Sequence, residues 1–167
     1  KVACDPSFQR MAAAEVKMWN ARYAERLGIR SAARATCVKP SGTVSLALGC
    51  VASGHHAHHA RRYIRRVTAD ELERVFQEFR RVNPQMCVRK PDGKWIIEFP
   101  VEAPDGAIVK KDLSAIQFLE MVKSTQRSWV IPGTRDDGRS NGLTHNVSNT
   151  VHVKDEDIAK LDEVVLS

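Results

Sequence analysis

Apolar residues recur at helical spacing near the start of the chain, where Phe8, Ala12, Val16, Trp19, Tyr23 and Leu27 lie between Asp5-Pro6 and Gly28. Asp as N-cap, Pro at the first helical position and Gly as the stop bound an amphipathic helix, and this stripe is expected to face inward. Residues 34–39 read as a strand, because Pro40 biases Lys39 toward extended backbone. A short helix is expected from about Thr43. Residues 63–67 read as a strand, and residues 70–82 as a helix with Leu72, Val75, Phe76 and Phe79 at helical spacing, ended by Asn83-Pro84. Cys87-Val-Arg-Lys and Lys94-Trp-Ile-Ile-Glu-Phe flank Pro91-Asp92-Gly93, which is hairpin chemistry. Ser114 with Gln117 forms a capping box that opens a further helix, with Ile116, Leu119 and Val122 inward and a continuation over Gln126 to Trp129. Residues 132–142 read as a loop and residues 145–153 as one strand. Helices alternating with strands around long loops predict an α/β fold in one unit, residues 1–167.

Composition narrows the class. With 43% hydrophobic residues in 167, the chain can bury a core, which excludes wholesale disorder. The 26 Lys and Arg against 20 Asp and Glu leave a net charge of +6, enough to attract polyanions or phosphate-bearing metabolites. Arg61, Arg62, Arg65 and Arg66 concentrate part of it, while residues 155–167 are acidic. On a strand Tyr63 and Arg65 share one side and Ile64 and Arg66 the other, so one arginine is expected to face inward and to need a carboxylate or phosphate. Aromatics are few and no RNP-like motif occurs, so a basic nucleic-acid-binding role is a secondary reading. Cys4, Cys37, Cys50 and Cys87 form no C-x-x-C pair, which disfavours a zinc ribbon or a thioredoxin-like site and fits reduced thiols. No apolar run of about 18 residues or basic-then-apolar leader is present, so no membrane partner and a cytoplasmic location are expected. Because it begins at Lys1, the chain is expected to derive from something longer.

The strongest local chemistry lies in Lys39-Pro-Ser-Gly-Thr-Val-Ser45. Pro40 fixes φ, Gly42 lets the main chain come close to a ligand, and a helix starting here aims free N–H groups and its positive dipole end at whatever sits over residues 41–45. The natural occupant is an anion such as phosphate. The alternative is that Ser41 or Thr43 merely caps the helix. No Walker loop is present.

His55, His56, His58 and His59 lie within five residues, and His at i and i+4 on a helix can bind a metal. Gly54 and its small neighbours instead suggest a loop of solvated or phosphate-facing histidines. No metal ligand is assigned. His145 and His152 read as polar packing on a strand.

Four blocks then carry a resemblance: Thr36-Cys-Val-Lys-Pro-Ser-Gly-Thr-Val-Ser45, Ser53-Gly54 with His56, Arg62-Tyr-Ile-Arg-Arg-Val67 and Leu143-Thr-His-Asn-Val-Ser-Asn-Thr-Val151. With Asn83-Pro84, Phe99-Pro100 and Trp129-Val-Ile-Pro-Gly133 between them, they resemble the adenosylcobalamin-dependent (class II) ribonucleotide reductases over residues 1–157. The resemblance implies the C-terminal part of a ten-stranded α/β catalytic barrel that makes deoxyribonucleotides through a cysteine thiyl radical. It also implies that Ser41, Gly42, Thr43, Val44 and Ser45 hold the substrate phosphates, and that His56, Asn146 and Ser148 belong to the active-site wall. It carries no catalytic cysteine onto this chain. The expected partners are therefore a ribonucleoside di- or triphosphate, a complementary reductase polypeptide bearing the thiyl cysteine, and a thioredoxin-like reductant, with adenosylcobalamin bound by the complete enzyme. A stand-alone, non-catalytic nucleotide- or phosphate-binding module is the alternative.

Overall fold

A computed structural model describes residues 5–49, 52–138, 140–155 and 157–158, with the backbone alone for Thr43 and Leu46. Cys4, Cys50 and residues 159–167 of the acidic tail lie outside the described residues. The chain forms two compact units, one built from Lys1–Ala57 with Lys110–Ser167 and the other from His58–Val109.

In the first unit, helix α1 (Pro6–Arg26) starts as its sequence dictates: the Asp5 carboxylate accepts from the amides of Ser7 at 2.7 Å and Phe8 at 3.0 Å. The Phe8 amide, then that of Ser7, holds this carboxyl below its ordinary range. The face turned inward is not the expected one. Gln9, Ala13 and Ala24 are buried, whereas Phe8, Trp19, Tyr23 and Leu27 are exposed. The reason is the neighbour against which the helix lies, which offers hydroxyls and carbonyls. Gln9 Nε2 donates to Thr125 Oγ1 at 3.2 Å, Arg10 to Ser128 Oγ at 3.4 Å and Lys17 Nζ to the Thr134 carbonyl at 3.2 Å. Small and polar residues satisfy these groups; aromatic ones would strand them.

Helix α2 (Gly42–Ala47) follows the predicted turn. Helix α4 (Ala115–Thr125), the second long helix of this unit, opens on the predicted capping box, with Gln117 N to Ser114 Oγ at 3.2 Å and Ser114 N to Gln117 Oε1 at 3.0 Å. It buries Ala115, Phe118 and Thr125, leaving Ile116, Leu119 and Val122 half-buried. Gln126–Val130 then continues as a π-helical turn, which widens the spiral and re-aims its side chains.

The strands expected at residues 34–39 and 145–153 are extended but form isolated pairs in place of ladders. Arg34 pairs antiparallel with Thr134, and Val38 pairs parallel with Val147. Side chains supply much of what a ladder would. The buried Thr36 hydroxyl lies 2.7 Å from the Trp129 carbonyl and 3.3 Å from that of Val130, and Trp129 Nε1 donates to the Cys37 carbonyl at 3.0 Å.

In the second unit, β1 (Arg62–Ala69), β2 (Cys87–Arg89) and β3 (Trp95–Glu102) make an antiparallel sheet in the order β1-β3-β2. The hairpin between β2 and β3 closes where predicted, with Lys90 N to the Lys94 carbonyl at 2.8 Å and Gly93 at φ +85°. Helix α3 (Arg74–Val82) starts later than expected, because Asp70 accepts from the Leu72 amide at 2.8 Å and ties the preceding residues into a turn. Leu72 and Val75 are therefore exposed. The core joins Phe76, Ala69, Trp95 and Ile97, with Phe79, Met86, Cys87 and Phe99 around them. Of the four arginines, Arg62 pairs with Glu102 at 2.9 Å, Arg66 with Glu98 at 2.8 Å, and Arg61 donates to the Pro104 carbonyl at 2.7 Å. Arg65 is half-buried opposite Phe99.

Gly133 and the Thr36 side chain share one space, since a Cβ on Gly133 would overlap the Thr36 hydroxyl. Gly133→Ala is expected to destabilise the chain by about 2–3 kcal/mol, as overpacking does. Urea unfolding read by circular dichroism measures this, with Gly106→Ala, whose added Cβ meets nothing within 4 Å, as the comparison for strain without overlap.

Candidate functional site

Val38 and Val147 set the frame. The Val38 amide donates to the Asn146 carbonyl at 3.3 Å and the Val38 carbonyl accepts from Ser148 N at 3.0 Å. Parallel strands present the same ends together, so the segments that leave Val38 and Val147 emerge side by side. The first is Lys39-Pro40 and helix α2; the second is Ser148 to Thr150.

At the start of α2, Ser41 Oγ accepts from Val44 N at 3.3 Å and the Ser41 carbonyl from Ser45 N at 3.1 Å. The Ser45 hydroxyl, buried, donates to the Gly42 carbonyl at 2.9 Å. Both serine hydroxyls thus shape the turn from within. The amides of Gly42 and Thr43 have no acceptor among the described residues, and the Val44 side chain is exposed. A Cβ added to Gly42 would meet nothing within 4 Å, so this residue borders open space.

Three further contacts hold the frame. Gly54, at φ +59°, packs so closely on the turn that a Cβ would lie 3.2 Å from Pro40 Cα. His56 joins this loop to the second strand: its Nδ1 lies 2.8 Å from the Ser53 carbonyl, and its Nε2 accepts from Thr150 N at 2.9 Å. Those partners assign the proton to Nδ1. The ring also stacks on Phe118, with centroids 6.0 Å apart, and lines a cavity of about 70 Å³. Gln126, at the head of the π turn, reads the second strand twice, donating to Thr144 Oγ1 and the His145 carbonyl at 3.0 Å and accepting from Val147 N at 3.2 Å. Sequence reasoning saw Gln126 only as the continuation of a helix face. A glutamine there is the sole local signal, since its partners lie about twenty residues away.

The structure brings the turn at 41–45, Gly54, His56 and Ser148 to the end at which the Val38–Val147 pair exits, while Asn146 lies on its entry side with its carbonyl on the Val38 amide. Asn146 and Ser148 are exposed on one side of their strand and Val147 is buried on the other. The histidines do not gather. His58 pairs with Val109 and His59 meets Tyr63 edge-on in the second unit, and no cluster of three or more metal-binding side chains occurs among the described residues. His152 Nε2 accepts from Lys110 Nζ at 3.1 Å. Cys37 and Cys87 are free thiols. No described helix is long and apolar enough to cross a membrane.

His55 looks into a second cavity of about 330 Å³, bounded by Phe8, Gln9, Ala12, Val38, Thr125 and Trp129. Burial there, and secondarily the adjacent His56, lower its pKa below the ordinary 6.5.

No protein-family profile matches the chain. Among curated proteins, the adenosylcobalamin-dependent ribonucleoside-triphosphate reductase of Euglena gracilis is 32% identical over 114 residues, 66% of this chain and 15% of that protein. The chain is a relative of the adenosylcobalamin-dependent ribonucleotide reductases. A solved structure of a B-12 dependent (class II) ribonucleotide reductase superposes with a TM-score of 0.75 at 18% identity, over 96% of this chain and 21% of that one. The fold is thus the one found within a class II reductase, and the chain spans about a fifth or less of these reductases.

A base with a lowered folded pKa leaves the unfolded state binding more protons as pH falls. Stability is therefore full above about pH 6.5 and declines below it, until the folded His55 also protonates. Thermal melts between about pH 7 and 5.5 should show this decline, and His55→Gln should flatten it.

Proposed function

We propose that this chain supplies the substrate-phosphate turn of an adenosylcobalamin-dependent ribonucleotide reductase. In this reading Ser41, Gly42, Thr43, Val44 and Ser45 receive the phosphates of a ribonucleoside di- or triphosphate. The observation that carries it is the pair of amides at Gly42 and Thr43 with no acceptor among the described residues, at the exposed start of α2, in a chain related to these enzymes. An amide pair at a helix start binds phosphate oxygens without a cationic side chain. Ser41 and Ser45 hold the turn in shape, so the amides need little reorganisation on binding. Asn146, Ser148 and His56 form the adjoining wall, with His56 keeping the Ser53–Gly54 loop against it.

The chain would act as one part of a ten-stranded α/β barrel and be inactive alone. A complementary reductase polypeptide would bring the thiyl cysteine, and a thioredoxin-like protein would return the reducing equivalents consumed when the 2′-hydroxyl is replaced by hydrogen. Adenosylcobalamin supplies the radical in such an enzyme. Neither cavity described above, of about 330 and 70 Å³, is large enough for a corrin. A basic nucleic-acid surface is less well supported, because Arg61, Arg62 and Arg66 are engaged by a carbonyl and two carboxylates.

Gly42→Asp separates phosphate binding from folding. The added side chain has room, and a carboxylate at the first helical position is favourable to the helix dipole, so melting should be unchanged or slightly raised. Calorimetric titration with a ribonucleoside triphosphate should show binding by the parent chain and by Gly42→Ala, and at least a tenfold loss in Gly42→Asp. Equal affinity in all three would overturn the assignment.

A further inference from the structure

The segment from His145 to Ser148 is held on both edges, and the two edges are read in the same way. On one, Val38 donates its amide to the Asn146 carbonyl at 3.3 Å and accepts from Ser148 N at 3.0 Å. Main-chain groups of successive strand residues point to alternate sides, so the His145 carbonyl and the Val147 amide face the other edge. There the Gln126 side chain donates through Nε2 to the His145 carbonyl at 3.0 Å and accepts through Oε1 from Val147 N at 3.2 Å. A carbonyl and the amide two residues on are the pair that a residue meets across a parallel ladder. The Gln126 carboxamide carries the same N–H and C=O as a peptide, and it stands where one residue of a further strand would. Nε2 also donates to Thr144 Oγ1 at 3.0 Å, and the Val147 carbonyl on this edge accepts from Asn149 Nδ2 at 2.8 Å.

We infer that Gln126 is a positioning residue for phosphate binding: its side chain serves as a one-residue strand that sets how Ser148 meets Val38, and so where Lys39-Pro40 and α2 leave the pair. This role rests on the reading of residues 41–45 as the phosphate turn and goes beyond it. Gln126 acts at one remove, through Val147 and then Val38. The group required is a glutamine amide. Asn is a methylene shorter, Glu keeps the acceptor but turns a second oxygen toward the His145 carbonyl, and Met keeps the length with neither group. The π turn supplies the placement. Gln126 opens it, its own carbonyl accepting from Ile131 N at 2.9 Å, and Trp129, three residues on, donates to the Cys37 carbonyl next to Val38. One widened turn therefore holds both members of the pair, a use in keeping with the recurrence of π turns at functional sites.

Variants of the 167-residue chain, each checked for folding by circular dichroism, test it. In Gln126→Met the Val38 and Ser148 amides should exchange with solvent about tenfold faster or more, measured against Ala35 N, which bonds to the Gly133 carbonyl. Inorganic pyrophosphate, titrated by calorimetry, should bind this variant about tenfold more weakly or worse, because the turn is no longer pre-set. Asp5→Ala removes the α1 cap and is the comparison for lost stability alone: it should lower the melting point and leave the affinity within about twofold of the parent. Gln126→Glu gives a signature that mere packing would not. Protonating the introduced carboxyl returns a donor, so the ratio of its affinity to the parent's should rise as pH falls from about 7.5 to 5.5. The ratio cancels the titration of pyrophosphate and of His55, which both chains share. Should Gln126→Met not fold, Gln126→Glu carries the same exchange and affinity readouts. Parent-like exchange at Val38 and Ser148, parent-like affinity, an equal affinity loss in Asp5→Ala, or a ratio indifferent to pH would each overturn the role of Gln126. A parent chain that binds no pyrophosphate would overturn the phosphate reading instead, and the exchange rates alone would then decide whether Gln126 sets the pair.

Discussion

Two backbone hydrogen bonds between Val38 and its partners at Asn146 and Ser148 are the constraint on which the candidate site depends. They join segments far apart in sequence and fix their direction as parallel. Once this pair is set, Pro40 bends the first segment away and α2 begins beside Ser148. A single parallel pair is weak by itself, so its stability comes from side chains. Gln126 satisfies Val147 N and the His145 carbonyl, Thr36 closes on the π turn and Trp129 reaches the Cys37 carbonyl. Each such bond contributes on the order of 1 kcal/mol net, and each would cost more than that if left half-made in a buried place.

The same economy of polar groups explains α1. Its neighbours present hydroxyls and carbonyls, so the helix meets them with Gln9, Lys17 and alanines, and the aromatic residues turn outward. Rigidity around the turn has a parallel origin. Gly54 at positive φ, His56 with both ring nitrogens engaged and Ser41 as an internal cap leave the Gly42 and Thr43 amides as the polar groups of the turn with no acceptor among the described residues. A phosphate is the ligand that such amides suit.

Features governed by near neighbours in the chain were legible in the sequence. Asp5-Pro6, the Ser114–Gln117 box, the Pro91-Asp92-Gly93 hairpin and the helix that follows Ser41 all follow from a few adjacent residues, and all stand where expected. Features that depend on distant partners were not. Periodicity gives a stripe on α1 but does not say which side the protein covers, and a strand-like composition at 145–153 does not say how many partners it finds. For the site, the turn was readable from Pro40 and Gly42. The roles of His56 and Gln126 were not, because Thr150 and Val147 become their neighbours only in the fold.

The central claim is that the Gly42 and Thr43 amides are held open for a phosphate by contacts made elsewhere. The most direct measurement is a titration of the ¹⁵N-labelled chain with inorganic pyrophosphate, followed amide by amide in ¹H–¹⁵N spectra. The account predicts saturable downfield shifts at Gly42 and Thr43, with smaller changes at Val44 and Ser45, whose amides already have partners. Saturable shifts elsewhere with Gly42 and Thr43 unmoved would contradict it.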